Sequence, residues 1–251
     1  MPIVTINNSR DTFEFAISDN TATHDLIALL ARNATDWFQE YRQYNLNIDD
    51  HLGNYQAGKD ISEIGYTQPP EGAADSILQE TALERPNLRI GTSAVERESD
   101  TTIEIRLTAR YKPDIEENHE TDRWGYVETD LLPALRLTDL SAEQADLIEA
   151  FVPVAIERGD GFANFRKAAT KTNSLIDRLL ALTLPEIDDV RERLHNYNRI
   201  KTEAEALEKR IVQAEKVIDE VIYELYDISS NEIELIEETV DSLPPSERSS
   251  E

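Results

Sequence analysis

Residues 188–226 carry a stripe that few folds can accommodate. Apolar or small side chains fall at Val190, Leu194, Tyr197, Ile200, Ala204, Leu207, Ile211, Ala214, Ile218, Val221 and Leu225. The steps alternate between three and four residues, with one three-three irregularity at Leu194, Tyr197 and Ile200. This predicts a long helix with a coiled-coil-like seam of about five heptads. At 1.5 Å per residue such a helix spans roughly 55–60 Å. A small globule cannot bury that length by itself, so the seam calls for a partner helix. Residues 23–44 are the candidate inside the chain. Another subunit, including a second copy forming a homodimer, is the candidate outside it. Ser229, Ser230, Asn231 and Glu232 have the spacing of a capping box and open a short last helix to about Val240. Residues 242–251, rich in Pro and Ser, are expected to be a disordered tail.

Upstream the pattern is mixed. Residues 3–6 and 13–17 read as two short strands around a polar turn. Thr23 can cap a helix whose stripe is Leu26, Leu30, Trp37 and Tyr41, with Ile27, Ala34 and Phe38 beside it. Residues 45–72, punctuated by Gly53, Gly58, Gly65 and Pro69-Pro70, read as a long connection. Residues 73–83 suggest a short helix. Leu88, Ile90 and Thr92 begin a strand, and Ile103, Ile105, Leu107 and Ala109 alternate with Glu104, Arg106 and Thr108 in the next. That is an antiparallel hairpin with its turn at residues 96–100. Trp124 to Val127 suggests one more strand. Ser141 and Gln144 form a capping box before a helix that turns Ala145, Ile148, Phe151, Val152 and Ala155 inward, with Pro153 as a kink and Gly159 as its end. A further helix covers about 174–182. The fold class is therefore α+β and mostly helical, with small antiparallel β elements and a long C-terminal helix. Three successive regions are expected: a mixed, recognition-like region at 1–135, a helical region with a basic segment at 136–187, and the long helix with its short follower at 188–241.

Charge narrows the setting. The chain has 51 acidic against 25 basic residues, a formal charge of −26, and seven Lys against eighteen Arg. The acids are dispersed along the chain. A dispersed acidic surface poor in Lys suits molar salt, where the Debye length is about 3 Å and like charges barely repel. An ordinary acidic, partly disordered protein is the alternative. No cysteine is present, which excludes disulfides, zinc ribbons and thiol catalysis. Neither a membrane-spanning run nor a signal-peptide pattern occurs, so a cytoplasmic protein without membrane partners is expected.

The motifs of several enzyme classes are missing. Gly159-Asp160-Gly161 follows no strand, and the Pro-Pro pairs at 69–70 and 244–245 lack the amide and aromatic of a base-holding loop. No Lys has an acidic residue two positions before it, as the common Mg²⁺ nucleases require, and there is no phosphate-binding Walker loop. His24, His51, His119 and His195 share no metal spacing, and the Asp49-Asp50 and Glu116-Glu117 pairs read as solvated surface. One segment breaks the acidic background. Between Phe162 and Leu180, Arg166, Lys167, Lys171 and Arg178 stand against the single carboxylate of Asp177. With Thr172 and Asn173 these are side chains suited to phosphates and base edges. The alternative is an inter-helix turn whose cations pair with nearby carboxylates. Arg106, Arg110 and Lys112 are weaker candidates for a DNA-facing surface. Trp124 and Tyr126 could stack a base, although a core position is the expected one.

The string Ile218-Asp219-Glu220-Val221-Ile222-Tyr223-Glu224-Leu225-Tyr226-Asp227-Ile228, followed by a capped turn and Glu232 to Glu237, resembles the end of type IIG restriction–modification proteins and of the adenine methyltransferases of phage-exclusion (BREX) systems. Residues 161–165, 170–179, Leu184-Pro185, 109–113 and 45–47 are similar to halophilic members. Asp227 departs from the pattern, since the family often has Gly there. The resemblance covers most of this chain but only the C-terminal third or less of such a protein. It implies a part that follows the methyltransferase domain and serves DNA targeting. It implies no activity, and no S-adenosylmethionine or Mg²⁺ site, in this chain; those belong to a catalytic domain or subunit as partner. The expected role is therefore a non-catalytic recognition and docking module. DNA would be held by Arg166, Lys167, Lys171, Thr172, Asn173, Arg178 and Arg106. The partner would dock on Leu207, Ile211, Ile218, Val221, Tyr223, Leu225 and Tyr226. The alternative is a structural coiled-coil protein, or a truncated gene remnant, with no DNA role.

Overall fold

The computed structural model describes residues 3–8, 11–16, 21–69, 76–81, 83–85, 87–114, 120–163 and 173–242. The contacts group the chain into two compact units, Met1–Asn45 with Lys201–Glu251, and Leu46–Ile200. This grouping cuts across the three successive regions expected, because chain ends distant in sequence come together. Of the expected tail at 242–251, Ser242 is helical, and residues 243–251 lie outside the described residues, as does the basic segment at 164–172.

The first unit begins with a hairpin of β1 (Ile3–Asn8) and β2 (Asp11–Ala16), in register from Ile3 opposite Ala16 to Asn8 opposite Asp11. Helix α1 follows (Thr21–Tyr41), starting two residues before the expected cap. The second unit contains α2 (Ile48–Leu52), β3 (Ala57–Asp60), β4 (Tyr66–Gln68), β5 (Arg89–Ser99), β6 (Thr102–Tyr111), β7 (Val127–Glu128), β8 (Leu132–Thr138), α3 (Ala142–Arg158), α4 (Leu175–Leu180) and β9 (Thr183–Pro185). Helix α5 (Ile187–Leu225) is continuous and contributes residues to both units, and α6 (Ser230–Ser242) closes the described chain. No helix among the described residues is long and apolar enough to cross a membrane.

In the second unit an antiparallel sheet runs in the order β4-β8-β6-β5, with β7 also on β6. Strict alternation makes β6 its centre: Ile103, Ile105, Leu107 and Ala109 are fully buried. Helix α3 packs against the sheet with Leu147, Ile148, Phe151, Val152 and Ile156, a wider face than the expected stripe. Each fully buried aliphatic side chain contributes about 1.5–3 kcal/mol before entropy is counted. The start of α3 is fastened as the sequence suggests. Gln144 N donates to Ser141 Oγ at 3.2 Å, and Ser141 N donates to Gln144 Oε1 at 2.8 Å. The first turns of α5 join this core through Val190, Leu194 and Tyr197.

Two sequence expectations change. The hairpin turn is not at 96–100: β5 runs to Ser99. Its polar end is used in pairing, since Arg97 meets Asp146 and Glu149 of α3 while Glu98 meets Arg136 of β8. The segment 45–72 is more than a connection, since it holds α2, β3 and β4. Asn47 caps α2 through its side chain, Ile48 and Leu52 are completely buried, and β3 pairs with β9.

In the first unit α1 and α5 run antiparallel. Leu30 and Trp37 share a groove with Lys209, Arg210, Gln213, Ala214 and Val217, whereas Thr23 and Leu26 share one with Val221, Glu224 and Leu225. Helix α1 thus lies beside residues 209–225 of the seam. Helix α5 ends in a left-handed turn: Asp227 has φ 52°, Ile228 N donates to Tyr223 O at 3.0 Å, and Asp227 N donates to Glu224 O at 3.4 Å. This is a Schellman arrangement, usually closed by Gly. The capping-box residues then start α6, with Ser229 N donating to Glu232 Oε2 at 2.9 Å.

Candidate nucleic-acid interface

Most described cations of the second unit are spent on carboxylates. Arg97 donates to Asp146 at 2.5 Å and Glu149 at 3.1 Å, Arg136 donates to Glu98 at 2.7 Å, and Arg191 lies 3.0 Å from Glu143. Arg106, expected to face DNA, lies 3.5 Å from Glu104 and 3.9 Å from Glu96 and donates to the Leu131 carbonyl at 3.3 Å. Such half-exposed pairs contribute little stability each, yet they leave the sheet face electrically neutral or acidic.

The end of the sheet where β5 begins and β6 finishes is different. Arg89, Arg110 and Lys112 surround the Tyr126 ring, at 4.6, 5.0 and 5.1 Å from its centroid. Arg123 lies over the Trp124 ring at 4.5 Å. Two carboxylates balance this group in part: Asp160 accepts from Arg89 with both oxygens at 3.1 Å, and Asp122 accepts from Arg110. Glu128, opposite Arg110 in register, accepts from Thr92 at 3.0 Å and from Thr108. Tyr126 stays half-buried, its ring gathering the cations as a quadrupole does. Trp124 corrects the expectation of a core residue, because 60% of its surface is exposed.

A short, rigid turn presents these rings. Asp122 Oδ1 accepts from Trp124 N at 2.8 Å and from Tyr126 N at 2.9 Å. Asp122 N donates to Tyr126 O at 2.8 Å, and Gly125 N donates to Asp122 O at 2.9 Å. Gly125 has φ 76°, a left-handed conformation that a side chain would strain. The Tyr126 amide holds the Asp122 carboxyl below the usual aspartate range, aided by the Trp124 amide and Arg110, although burial opposes the shift. The sequence does carry a signal for this turn, an Asp followed three residues later by Gly. Arg89, Asp122 and Arg123 were nonetheless outside the expected set.

Of the expected basic segment, Arg166, Lys167, Lys171 and Thr172 lie outside the described residues. Arg178 requires a correction. It is not a surface cation, being only 4% exposed. Its guanidinium donates to the carbonyls of Leu88 at 3.1 Å, Phe162 at 3.0 Å and Asn173 at 3.1 Å, and its Nε has no partner. Burial pushes this guanidinium below its usual pKa, opposed by Asp177. Arg178 therefore acts as a clasp that ties both flanks of the 164–172 segment to the start of β5, one residue from Arg89. Asn173, the remaining member, is half-buried and uses its carbonyl in that clasp. The Phe162 flank is a left-handed turn, with φ of 48°, 62° and 59° at Asp160, Gly161 and Phe162. Only Gly fits at 161, where an added Cβ would stand 1.9 Å from the Ile90 carbonyl oxygen.

The expected docking residues spread along the second half of α5. Leu207 is buried, Ile211, Ile218, Val221, Tyr223 and Leu225 are half-buried, and Tyr226 is 44% exposed. Of these, Val221 and Leu225 line a groove with Thr23 and Leu26 of α1, and Tyr223 falls on the opposite side of the helix from Leu225.

No family model, curated protein or solved structure matches the chain.

Proposed function

We propose that the Leu46–Ile200 unit binds DNA through the Arg89, Arg110, Lys112 and Arg123 end of its sheet. In this reading the chain is the non-catalytic recognition and docking part of an adenine DNA methyltransferase of the restriction–modification or phage-exclusion kind. S-adenosylmethionine and Mg²⁺ would be handled by a catalytic domain or subunit that meets the half-exposed seam of α5. The observation that carries the reading is the gathering of four cations and two aromatic rings at one sheet end of a chain with a net charge of −26. Charged side chains beside aromatic rings are what phosphate and base contacts use, and the flanks of the basic 164–172 segment are clasped next to them. The acidity elsewhere is tolerable in concentrated salt, where long-range repulsion is screened.

The test is DNA binding by the whole chain across a KCl series. Lys112→Glu combined with Arg123→Glu should weaken binding about tenfold or more and flatten the salt dependence by about two units of log K against log salt. Equal affinity and equal slope for the variant and the unaltered chain would sink the proposed surface. A structural reading is favoured by a different observation: Leu29, Phe38 and Val212 keep at least half their surface exposed along α1 and α5. It expects self-association or partner binding that the double charge reversal leaves unchanged, and no DNA binding.

A further inference from the structure

We propose that Trp124 is a stacking platform for an unstacked nucleobase, with Lys112 and Arg110 placed for the adjoining phosphate. This rests on the DNA-binding reading above and names the kind of DNA that the site takes. Four observations lead to it. The indole is 60% exposed although Arg123 lies over it at 4.5 Å. The Trp124 backbone is fixed, because its amide and that of Tyr126 are both held by Asp122 Oδ1, at 2.8 and 2.9 Å. The neighbouring Tyr126 ring is already engaged by three cations and cannot serve the same purpose. Lys112, the residue after β6, is exposed and is drawn to that ring at 5.1 Å, two residues beyond Arg110.

A ring carried on a fixed backbone has only its two side-chain torsions left to order on binding, so much of its contact energy is retained. What suits it is a flat π-face with negative charge close by. Paired, stacked DNA hides its base faces, so a duplex offers the indole nothing to stack on. An unstacked base offers a face, and the phosphate one bond system away meets the cations. A protein partner is a poorer match: a Trp anchor in a protein interface sits among apolar neighbours, whereas Trp124 carries Arg123 over its ring and lies two residues from Tyr126, where Arg110 and Lys112 gather. The base could come from single-stranded DNA or from a nucleotide extruded from a duplex; the chemistry at the indole is the same.

The chain contains only two tryptophans, Trp37 and Trp124. Trp37→Phe in the full chain therefore leaves emission from Trp124 alone. Three probes of one sequence are titrated: a single-stranded oligonucleotide, its perfect duplex, and the duplex with one mismatched pair. The single strand should quench Trp124 and bind more tightly than the perfect duplex. Trp124→Ala should lose about ten- to a hundredfold in affinity for it, while Trp124→Phe, which keeps a stacking ring, loses no more than about threefold. Quenching by the mismatched duplex as well assigns the base to extrusion; quenching by the single strand alone assigns it to melted DNA. If the perfect duplex binds as tightly as the single strand without quenching, and Trp124→Ala binds like the unaltered chain, the platform is wrong and DNA binding stands. If no probe binds, the DNA reading falls with it.

Discussion

One heptad pattern runs the length of α5, yet its two stretches are buried differently. In the Leu46–Ile200 unit, Val190, Leu194 and Tyr197 are closed into a core made by the sheet, α2 and α3. Tyr197 adds a hydrogen bond from its hydroxyl to the Leu46 carbonyl at 3.3 Å and an edge-on contact with His51. In the other unit only Ala204, Leu207 and Ala214 of the seam are buried, while Ile211, Ile218, Val221 and Leu225 are half-buried. The pattern is the same, but the number of walls is not. Residues of the sheet, α2 and α3 share one core cluster with the first stretch, whereas α1, no residue of which is fully buried, lies along the second. Heptad spacing therefore specifies that a seam exists and leaves open how many partners close it. The half-closed stretch is where a further helix would bury additional area.

The largest expected effect tests that contrast directly. Leu194→Ala removes a side chain that is buried in the core cluster and should cost about 3 kcal/mol, the transfer loss plus the cavity left behind. Leu207→Ala, on the stretch with one neighbouring helix, should cost about half as much, because α1 can move in and water can reach the site. The two tryptophans provide separate readouts, Trp37 on α1 and Trp124 in the sheet unit. Denaturation of the Trp37→Phe and Trp124→Phe forms would follow each unit in turn. Equal costs for the two Leu substitutions would break the comparison. A loss at position 207 that grows when a partner is added would sharpen it.

A smaller effect lies at the end of the same helix. Asp227 occupies the left-handed position of the Schellman turn with φ 52°. Asp bears this conformation better than most residues but worse than Gly. Asp227→Gly should therefore stabilise the first unit by about 0.5 kcal/mol, after the extra freedom that Gly gives the unfolded chain is set against it. The midpoint followed by Trp37 should rise, and that followed by Trp124 should stay. A fall in the Trp37 midpoint would mean that the Asp side chain contributes more than its backbone strain costs.

The features legible in the sequence are those that local spacing controls. The limits of α5, the alternation of β6 and the Ser141–Gln144 box follow from side chains within a few positions of one another. What escaped reading depends on distant partners. The pair Ile48 and Leu52 is too short to show a period, and β3 finds β9 more than a hundred residues later. Arg178 looks like a surface cation by type, and only the meeting of the Leu88, Phe162 and Asn173 carbonyls makes its burial tolerable. Trp124 fails in the opposite sense. Its type predicts a core, and the turn held by Asp122 carries it outward. The candidate interface is thus half visible: Arg110 and Lys112 are legible on and after the hairpin, whereas Trp124, under Arg123, reads by type as a core residue.

The smallest effect concerns acid, and it separates the units once more. Asp122 organises the Trp124 turn in one unit, and Glu232 caps α6 in the other; hydrogen bonds to each carboxylate hold its pKa below the usual value. For Glu232 the Ser229 hydroxyl is the main cause and the Ser229 amide the next. A carboxyl whose folded pKa is depressed stabilises the fold at any pH above its unfolded value, about 3.9 for Asp and 4.3 for Glu. That contribution is lost as the pH falls through the folded value. Both groups are solvent-exposed, so the contribution is small and salt-screened. Between neutrality and about pH 5 the emission of Trp124 in the Trp37→Phe form should stay constant, and below about pH 4 it should move toward that of a mobile indole. Asp122→Asn separates the roles of this carboxyl. An amide oxygen can still accept from the Trp124 and Tyr126 amides but cannot pair with the Arg110 charge, so the turn should persist and its acid response should vanish. If the acid response survives in Asp122→Asn, another carboxylate controls the turn, and Asp160 on Arg89 and Glu128 opposite Arg110 are the next to change.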